Sequence, residues 1–303
     1  MQRSTRPWKT KPALALHIGV NEVDRASYAP AFYPPLNGPE NDARAMREIS
    51  VTRGFDDSVL LIGREATFDA VENAMNCMIE ELRYGGTFLF TFSGHGVRIP
   101  ATDSYEEGVA LHDLIMKDYY IDILLRSLPR EARVILVADC CHSGTIKGVN
   151  YPRPKRIPQA EPADAMTAKR GENRRMECRL TKGDGSVRKE RYRELDRRFH
   201  ERGLSLEQGV IVADMVMLSA CDDNELAADG QGHGLFTACL LETLRHGGEH
   251  GSPFTGTYKQ FIDAIVRRVQ RTTNAQIPRY TPLGLNAGNL GHPFFQGPPF
   301  THQ

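Results

Sequence analysis

Hydrophobic positions along the chain come in two patterns. Short continuous apolar runs occupy residues 13–20 (ALALHIGV), 58–62 (SVLLI), 87–92 (TFLFTF) and 133–138 (RVILVA), and each reads as a buried strand. Between them the pattern changes to helical spacing. Asn41 and Asp42 open a stretch NDARAMREIS, and Thr67 is placed to cap a helix running to Arg83. In that helix Phe68, Val71, Met75, Met78, Ile79 and Leu82 fall on one face. Residues 119–128 read as a further helix, and a Pro- and Gly-rich loop fills 28–39. Later, 210–220 (VIVADMVMLSA) returns to strand, followed by helices over 235–245 and 258–270.

Strand–helix–strand alternation with apolar strands predicts an α/β fold with a mostly parallel central sheet and helices on both faces. Such sheets carry their ligand sites beyond the carboxyl ends of the strands. Two polar motifs stand there: SGHG after the third run and DCCHSG after the fourth. The chain divides into three parts. Residues 1–145 hold both motifs, and 209–303 resume the sheet pattern. Residues 146–208 have prolines, few apolar positions and many basic ones, among them Arg153, Lys155, Arg156, Lys169, Arg170, Arg174 and Arg175. That composition predicts a solvated, flexible insertion.

Composition narrows the function classes. The 303 residues carry 38 basic and 38 acidic side chains, so overall charge draws the chain to neither nucleic acid nor an anionic membrane. No run approaches the length of a bilayer span, and residues 1–11 lack the apolar core of a secretory signal. The six cysteines are irregularly spaced and form no CxxC pair, which predicts reduced thiols in a cytoplasmic setting.

The two motifs carry the chemistry. A thiolate is a strong nucleophile, and an imidazole can take or hold its proton. His95 ends one strand and Cys141 another, so neighbouring parallel strands would present both at one sheet edge. Glycines beside each allow sharp turns and close approach of backbone N–H groups. The N–H groups of Gly96 and Cys141 are then the natural donors to a developing oxyanion.

These motifs resemble those of metacaspases and bacterial relatives among the caspase-like cysteine peptidases. The resemblance rests on IGVN, LNGPENDARAM, TFSGHG, DCCHSG, LSACDDNELAAD and GHGLFTACLLETL, with His before Cys at a separation near the roughly 50 residues of caspases. It implies a caspase-like three-layer sandwich. Residues 1–145 would be a large-subunit-like part, and 209–303 a small-subunit-like part completing the same domain. It also implies His95 and Cys141 as the catalytic dyad of a cysteine endopeptidase, with Cys141 rather than Cys140 as nucleophile.

Caspases that cut after Asp carry Gln-Ala-Cys at the nucleophile, whereas Asp139 stands two residues before Cys141. By resemblance, Asp139, Asp42 and Ser93 line the pocket for the residue preceding the scissile bond. Carboxylates at a pocket floor select Arg or Lys by charge-assisted hydrogen bonds. Asp42 can equally cap its helix, and Asp139 can equally tie down its turn. Pro39 stands where metacaspases often carry a cysteine.

Metacaspases often use calcium. Glu106 and Asp118 match two of its ligands, but Lys117 and Gly148 stand where acids are usual, and a lysine opposes a site that needs several carboxylates. The expectation is therefore no cofactor and no tight calcium. The expected partners are proteins or peptides with Arg or Lys before the cut. An activating protease or regulatory partner would act on the basic insertion and release a latent form. Two other readings share the motifs, a silent caspase-like scaffold or binding module and a related cysteine amidase. His17, inside its apolar strand, reads as a core histidine. His233, between Gly232 and Gly234, reads as part of the turn into the helix at Leu235.

Overall fold

The computed structural model describes residues 11–29, 31–100, 105–141, 174–175, 177–179, 186–204, 210–221, 225, 227–230 and 232–283. Its centre is a six-stranded sheet in the order β12-β10-β7-β3-β1-β2. The strands are β1 (Ala13–Gly19), β2 (Asp57–Ile62), β3 (Gly86–Ser93), β7 (Ala132–Asp139), β10 (Asp214–Ser219) and β12 (Arg279–Leu283). All neighbours are parallel except β12, which runs antiparallel to β10 and closes one edge.

Period-two alternation along the strands divides the core between two faces. Leu14, Leu16 and Ile18 join Phe88, Phe90 and Phe92 in one buried cluster. That face is covered by α3 (Phe68–Glu81), α4 (Asp118–Arg126) and α5 (Ser186–Glu201), which contribute Val71, Ile121 and Phe199. Ala13, Ala15, Leu89 and Ile135 face the other way. They meet Met46 of α2 (Pro39–Thr52), Phe236 of α6 (Leu235–His246) and Phe261 of α7 (Tyr258–Gln270). The result is the expected three-layer sandwich. Thr67 caps α3 as read from sequence, its hydroxyl accepting from the Ala70 N–H at 3.2 Å. The 28–39 segment differs in detail: a one-turn helix α1 (Arg25–Tyr28) precedes it, and Pro39 is already helical, at a first-turn position where proline lacks no needed donor.

Two parts of the architecture were not visible in the hydrophobic pattern. A second sheet, β6-β5-β4-β9, leaves the carboxyl end of β3. It comprises β4 (Gly96–Pro100), β5 (Tyr105–Ala110), β6 (Ile115–Lys117) and β9 (Glu177–Arg179). The 146–208 region, expected to be a flexible insertion, is over its second part a docked helix. Tyr192, Leu195 and Phe199 of α5 are buried in the core, and its arginines are held by acids of the first half. Arg202 donates to Glu72 at 2.9 Å, Arg198 also donates to Glu72, and Arg191 donates to Asp113 at 2.6 Å. The basic charge that reads as solvation in the sequence is thus partly paired across a packed interface. Residues 142–173 lie outside the described residues.

His17 confirms its reading as a core histidine. Its Nδ1 lies 2.9 Å from Thr91 Oγ1 and its Nε2 lies 3.0 Å from Ser50 Oγ. Burial, with the Arg47 charge adding, lowers its pKa from 6.5 to about 3. The unfolded chain therefore takes up a proton below pH 6.5 that the folded chain refuses. Stability is full above that pH and is lost as pH falls toward 3, at up to about 1.4 kcal/mol per pH unit. Denaturant midpoints measured against pH should fall less steeply in His17→Asn than in wild type. Equal slopes would remove His17 from this role.

Candidate active site

The β3–β7 register places the two motifs together. Ser93 pairs with Asp139, and the Gly94 N–H donates to the Asp139 carbonyl at 3.3 Å. Continuing that register by two residues brings His95 level with Cys141. The backbones then touch: a Cβ on Gly96 would overlap the Cys141 carbonyl, so this position admits only glycine without moving the nucleophile strand.

Both side chains are buried. His95 Nε2 lies 2.8 Å from the Pro34 carbonyl, and the Tyr33 ring meets the imidazole edge-on at 5.4 Å between centroids. A carbonyl only accepts, so Nε2 carries the proton and Nδ1 is the basic nitrogen. The Ala227 N–H donates to Cys141 Sγ at 3.2 Å, a contact that favours negative charge on sulfur. The neighbouring Cys140 points into the opposite core cluster, and burial pushes its thiol well above the ordinary range. The alternation of the strand end thus separates the two cysteines: Cys141 sits with the α2 and α6 face and Cys140 beneath α4.

The expected pocket acids also meet. Asp42 lies in the first turn of α2, but its carboxylate does not cap that helix. It accepts from Ser93 Oγ at 2.7 Å, from His233 Nδ1 at 2.7 Å and from the Gly234 N–H at 3.2 Å. Asp139 Oδ2 accepts from the Thr237 N–H at 2.9 Å and from its hydroxyl at 2.7 Å, which ties β7 to the start of α6. Asp139 Oδ1 is buried and has no hydrogen-bond partner among the described residues. Burial first, and the Asp42 carboxylate second, push the Asp139 carboxyl well above the ordinary range. Burial likewise raises Asp42. Two desolvated acids, one of them met by His233, and one unsatisfied carboxylate oxygen make this an acidic site able to accept a hydrogen-bond donor.

The site uses residues that the sequence did not single out. Pro34 presents its carbonyl to His95, and Thr237, although it lies within GHGLFTACLLETL, carries no signal of its own there. Asp229 receives the Asn37 and Gly38 N–H groups at 2.8 and 2.9 Å, and so anchors the start of α2. The 232–234 turn does lead into α6 as read, but it also delivers His233 to Asp42. Only its likeness to the SGHG glycines could have drawn attention to it.

The caspase domain profile matches residues 13–287, nearly the whole chain. The chain belongs to the caspase domain family. Among curated relatives it is 23% identical over 263 residues to metacaspase-1 of Lodderomyces elongisporus, covering 76% of this chain and 57% of that protein. It is 26% identical over 296 residues to metacaspase-1 of Mycosarcoma maydis, covering 88% and 69%. It is also 26% identical over 170 residues to metacaspase-2 of Trypanosoma brucei brucei, covering 48% and 47%. The chain thus spans about half the length of the first curated relatives it matches. A solved structure of a Geobacter sulfurreducens protein superposes with a TM-score of 0.70 at 26% identity, covering 94% of this chain and 99% of that one.

Within this caspase domain, one of the two weak calcium candidates, Glu106, is occupied otherwise. Lys117 Nζ pairs with it at 2.8 Å and also lies over the Tyr192 ring, while Asp118 stands at the start of α4. Among the described residues no cluster of three or more acids, histidines or cysteines is arranged to hold a metal, and no helix is long and apolar enough to cross a membrane.

Proposed function

We propose that the chain is a cysteine endopeptidase that cuts proteins after Arg or Lys, and that it stays latent until the 146–208 region is cleaved. The observation that carries the reading is the β3–β7 register, which brings His95 beside Cys141 above two buried acids. In this mechanism Cys141 sulfur attacks the scissile carbonyl, and the Gly96 and Cys141 N–H groups receive the oxyanion. His95 takes the thiol proton and passes it to the departing amine. A water activated by the same imidazole then releases the acid from sulfur and restores the thiol. Asp139, Asp42 and Ser93 line the pocket for the basic side chain that precedes the cut. A cytoplasmic setting belongs to the same reading and rests on the cysteine usage.

Latency is supported by the path of the backbone. The strand β8 (Arg174–Arg175) lies antiparallel on β11 (Ala228–Asp229), with Arg175 opposite Ala228. Ala228 follows the residue whose N–H reaches Cys141 Sγ. Two residues later Glu177 pairs with Gly96, against the Cys141 backbone. The insertion therefore passes from one side of the dyad to the other, along a strand edge of the kind that extended peptides use. A tethered segment acts at high effective concentration, so a free substrate competes poorly with it.

Matched peptides ending in Arg, Lys or Asp test the specificity. Arg and Lys peptides should be cut and the Asp peptide spared; efficient cutting after Asp overturns the reading. An Arg-derived chloromethyl ketone should alkylate Cys141, which neither a scaffold nor an amidase indifferent to Arg would allow. For latency, wild type and Cys141→Ala are incubated side by side and their fragments mapped by mass spectrometry. Cuts in the wild-type 146–208 region that coincide with a rise in activity are expected. Full activity of an uncut chain would end the latency proposal.

A further inference from the structure

We propose that His233 sets the choice between arginine and lysine in the acid pocket, by holding Asp42 away from the substrate and leaving Asp139 as the one acid with an unengaged oxygen. The inference rests on the pocket reading above and adds a specificity-determining residue to it.

The two pocket acids are not equivalent. Asp42 has both oxygens engaged: Oδ1 by His233 Nδ1 and the Gly234 N–H, Oδ2 by Ser93 Oγ and again by Gly234. Asp139 has only Oδ2 engaged, and its Oδ1 stays unsatisfied among the described residues. Of the Asp42 partners, Ser93 is buried, whereas the His233 side chain is 37% exposed over a carboxylate that is 2% exposed. His233 is thus the group that stands between Asp42 and solvent.

Its backbone explains how it gets there. Gly232 turns at φ +97°, where glycine carries no penalty, with open space around its Cα. Asn41 Nδ2 holds the Gly232 carbonyl at 2.9 Å, and the Gly230 N–H holds the His233 carbonyl at 3.0 Å. The short turn is pinned on both sides of a rotatable point. Asp42 and Asp139 favour the charged imidazole, while Arg245 of α6 opposes it.

The consequence for recognition is geometric. A lysine ammonium is a compact charge that one carboxylate oxygen can meet. A guanidinium presents a planar fork that gains most from two acceptors. With His233 on Asp42, the pocket offers arginine one prong's worth of acceptor. With His233 withdrawn, Asp42 Oδ1 joins Asp139 Oδ1 and the fork is matched.

The test compares kcat/KM for two peptides that differ only in Arg or Lys before the cut, in wild type, His233→Ala and His233→Asn. The Arg-to-Lys ratio should rise about tenfold in His233→Ala, the scale of one added charge-assisted hydrogen bond. His233→Asn keeps an N–H donor for Asp42 and should restore the wild-type ratio, which a general loosening of the loop would not do. An unchanged ratio in His233→Ala overturns the proposal. Asp139→Asn separates the two levels of the argument. If it abolishes both activities while His233→Ala leaves the ratio unchanged, only the His233 role falls. If it leaves both activities intact, the pocket reading falls with it. Should peptide turnover be too slow to compare, the labelling rates of Cys141 by Arg- and Lys-derived chloromethyl ketones give the same ratio. Labelling by neither, with iodoacetamide still reacting, also counts against the pocket.

Discussion

Cys141→Ala is expected to lower peptide turnover by at least about a thousandfold while leaving the fold in place, because in the proposed mechanism it removes the atom that forms the bond to substrate. Alanine fits the site: it removes one sulfur and one Ala227 N–H contact at the end of β7 and adds nothing to its crowded surroundings. The cost to stability should be about 1 kcal/mol, a shift of a few degrees in Tm. Cys140→Ala is the control. It deletes a buried sulfur of similar size from the other core cluster and should cost similar stability, yet it should keep most of the activity. Thermal melts and steady-state rates on both variants decide the matter. An inactive Cys140→Ala beside an active Cys141→Ala would shift the site by one residue and turn the nucleophile to the wrong face of the sheet.

The second large effect is expected at Asp139. Asp139→Asn should lower kcat/KM for Arg and Lys peptides by about a hundredfold or more, since an amide gives a cation no charge to meet. The same change should not lower Tm, and a rise is the natural outcome. Asp139 is a desolvated acid beside a second acid, and both effects raise its pKa. Asparagine keeps an oxygen for the Thr237 N–H and hydroxyl while removing the charge that burial disfavours. Activity and stability should therefore move in opposite directions, which marks a residue kept for binding. A parallel fall in both would make Asp139 a structural anchor of α6, the alternative left open by its sequence context.

The central sheet was legible because its strands are buried on both faces and stand out as apolar runs; α7 matches its sequence boundaries, and α6 extends only one residue beyond them. The second sheet was not, because 96–117 mixes Gly108, Arg98, Glu106 and Glu107 into strands whose polar side chains pair with each other, as Arg98 does with Glu107 at 2.8 Å. Local pattern carries no trace of such pairing. α5 was hidden for a related reason. Its three buried residues are outnumbered by arginines and glutamates, and only tertiary partners turn that surplus of charge into a docking face: Glu72 and Asp113 for its arginines, and the Tyr120 hydroxyl for its own Asp196. Motif spacing suggested His95 and Cys141 because strand ends align in a parallel sheet. His233 and Thr237 stand inside a quoted motif, but their contacts were out of reach because they lie on the far side of the crossover, and only the closed fold brings them within 3 Å of the two acids.

The strand order has one further consequence. β7 belongs to the part before the 142–173 stretch and β10 to the part after it, yet the two are hydrogen-bonded neighbours in the middle of one sheet. α5, also beyond that stretch, is bolted by ion pairs to α3 before it. Cutting the chain there breaks covalent continuity while the β7–β10 hydrogen bonds and the α5–α3 ion pairs still join the two parts. A processed molecule should run as two bands on a denaturing gel and as one unchanged peak by size exclusion. On the proposed latency, such a cut would be irreversible in effect: a peptide bond is lost, and the shared sheet keeps the two pieces together.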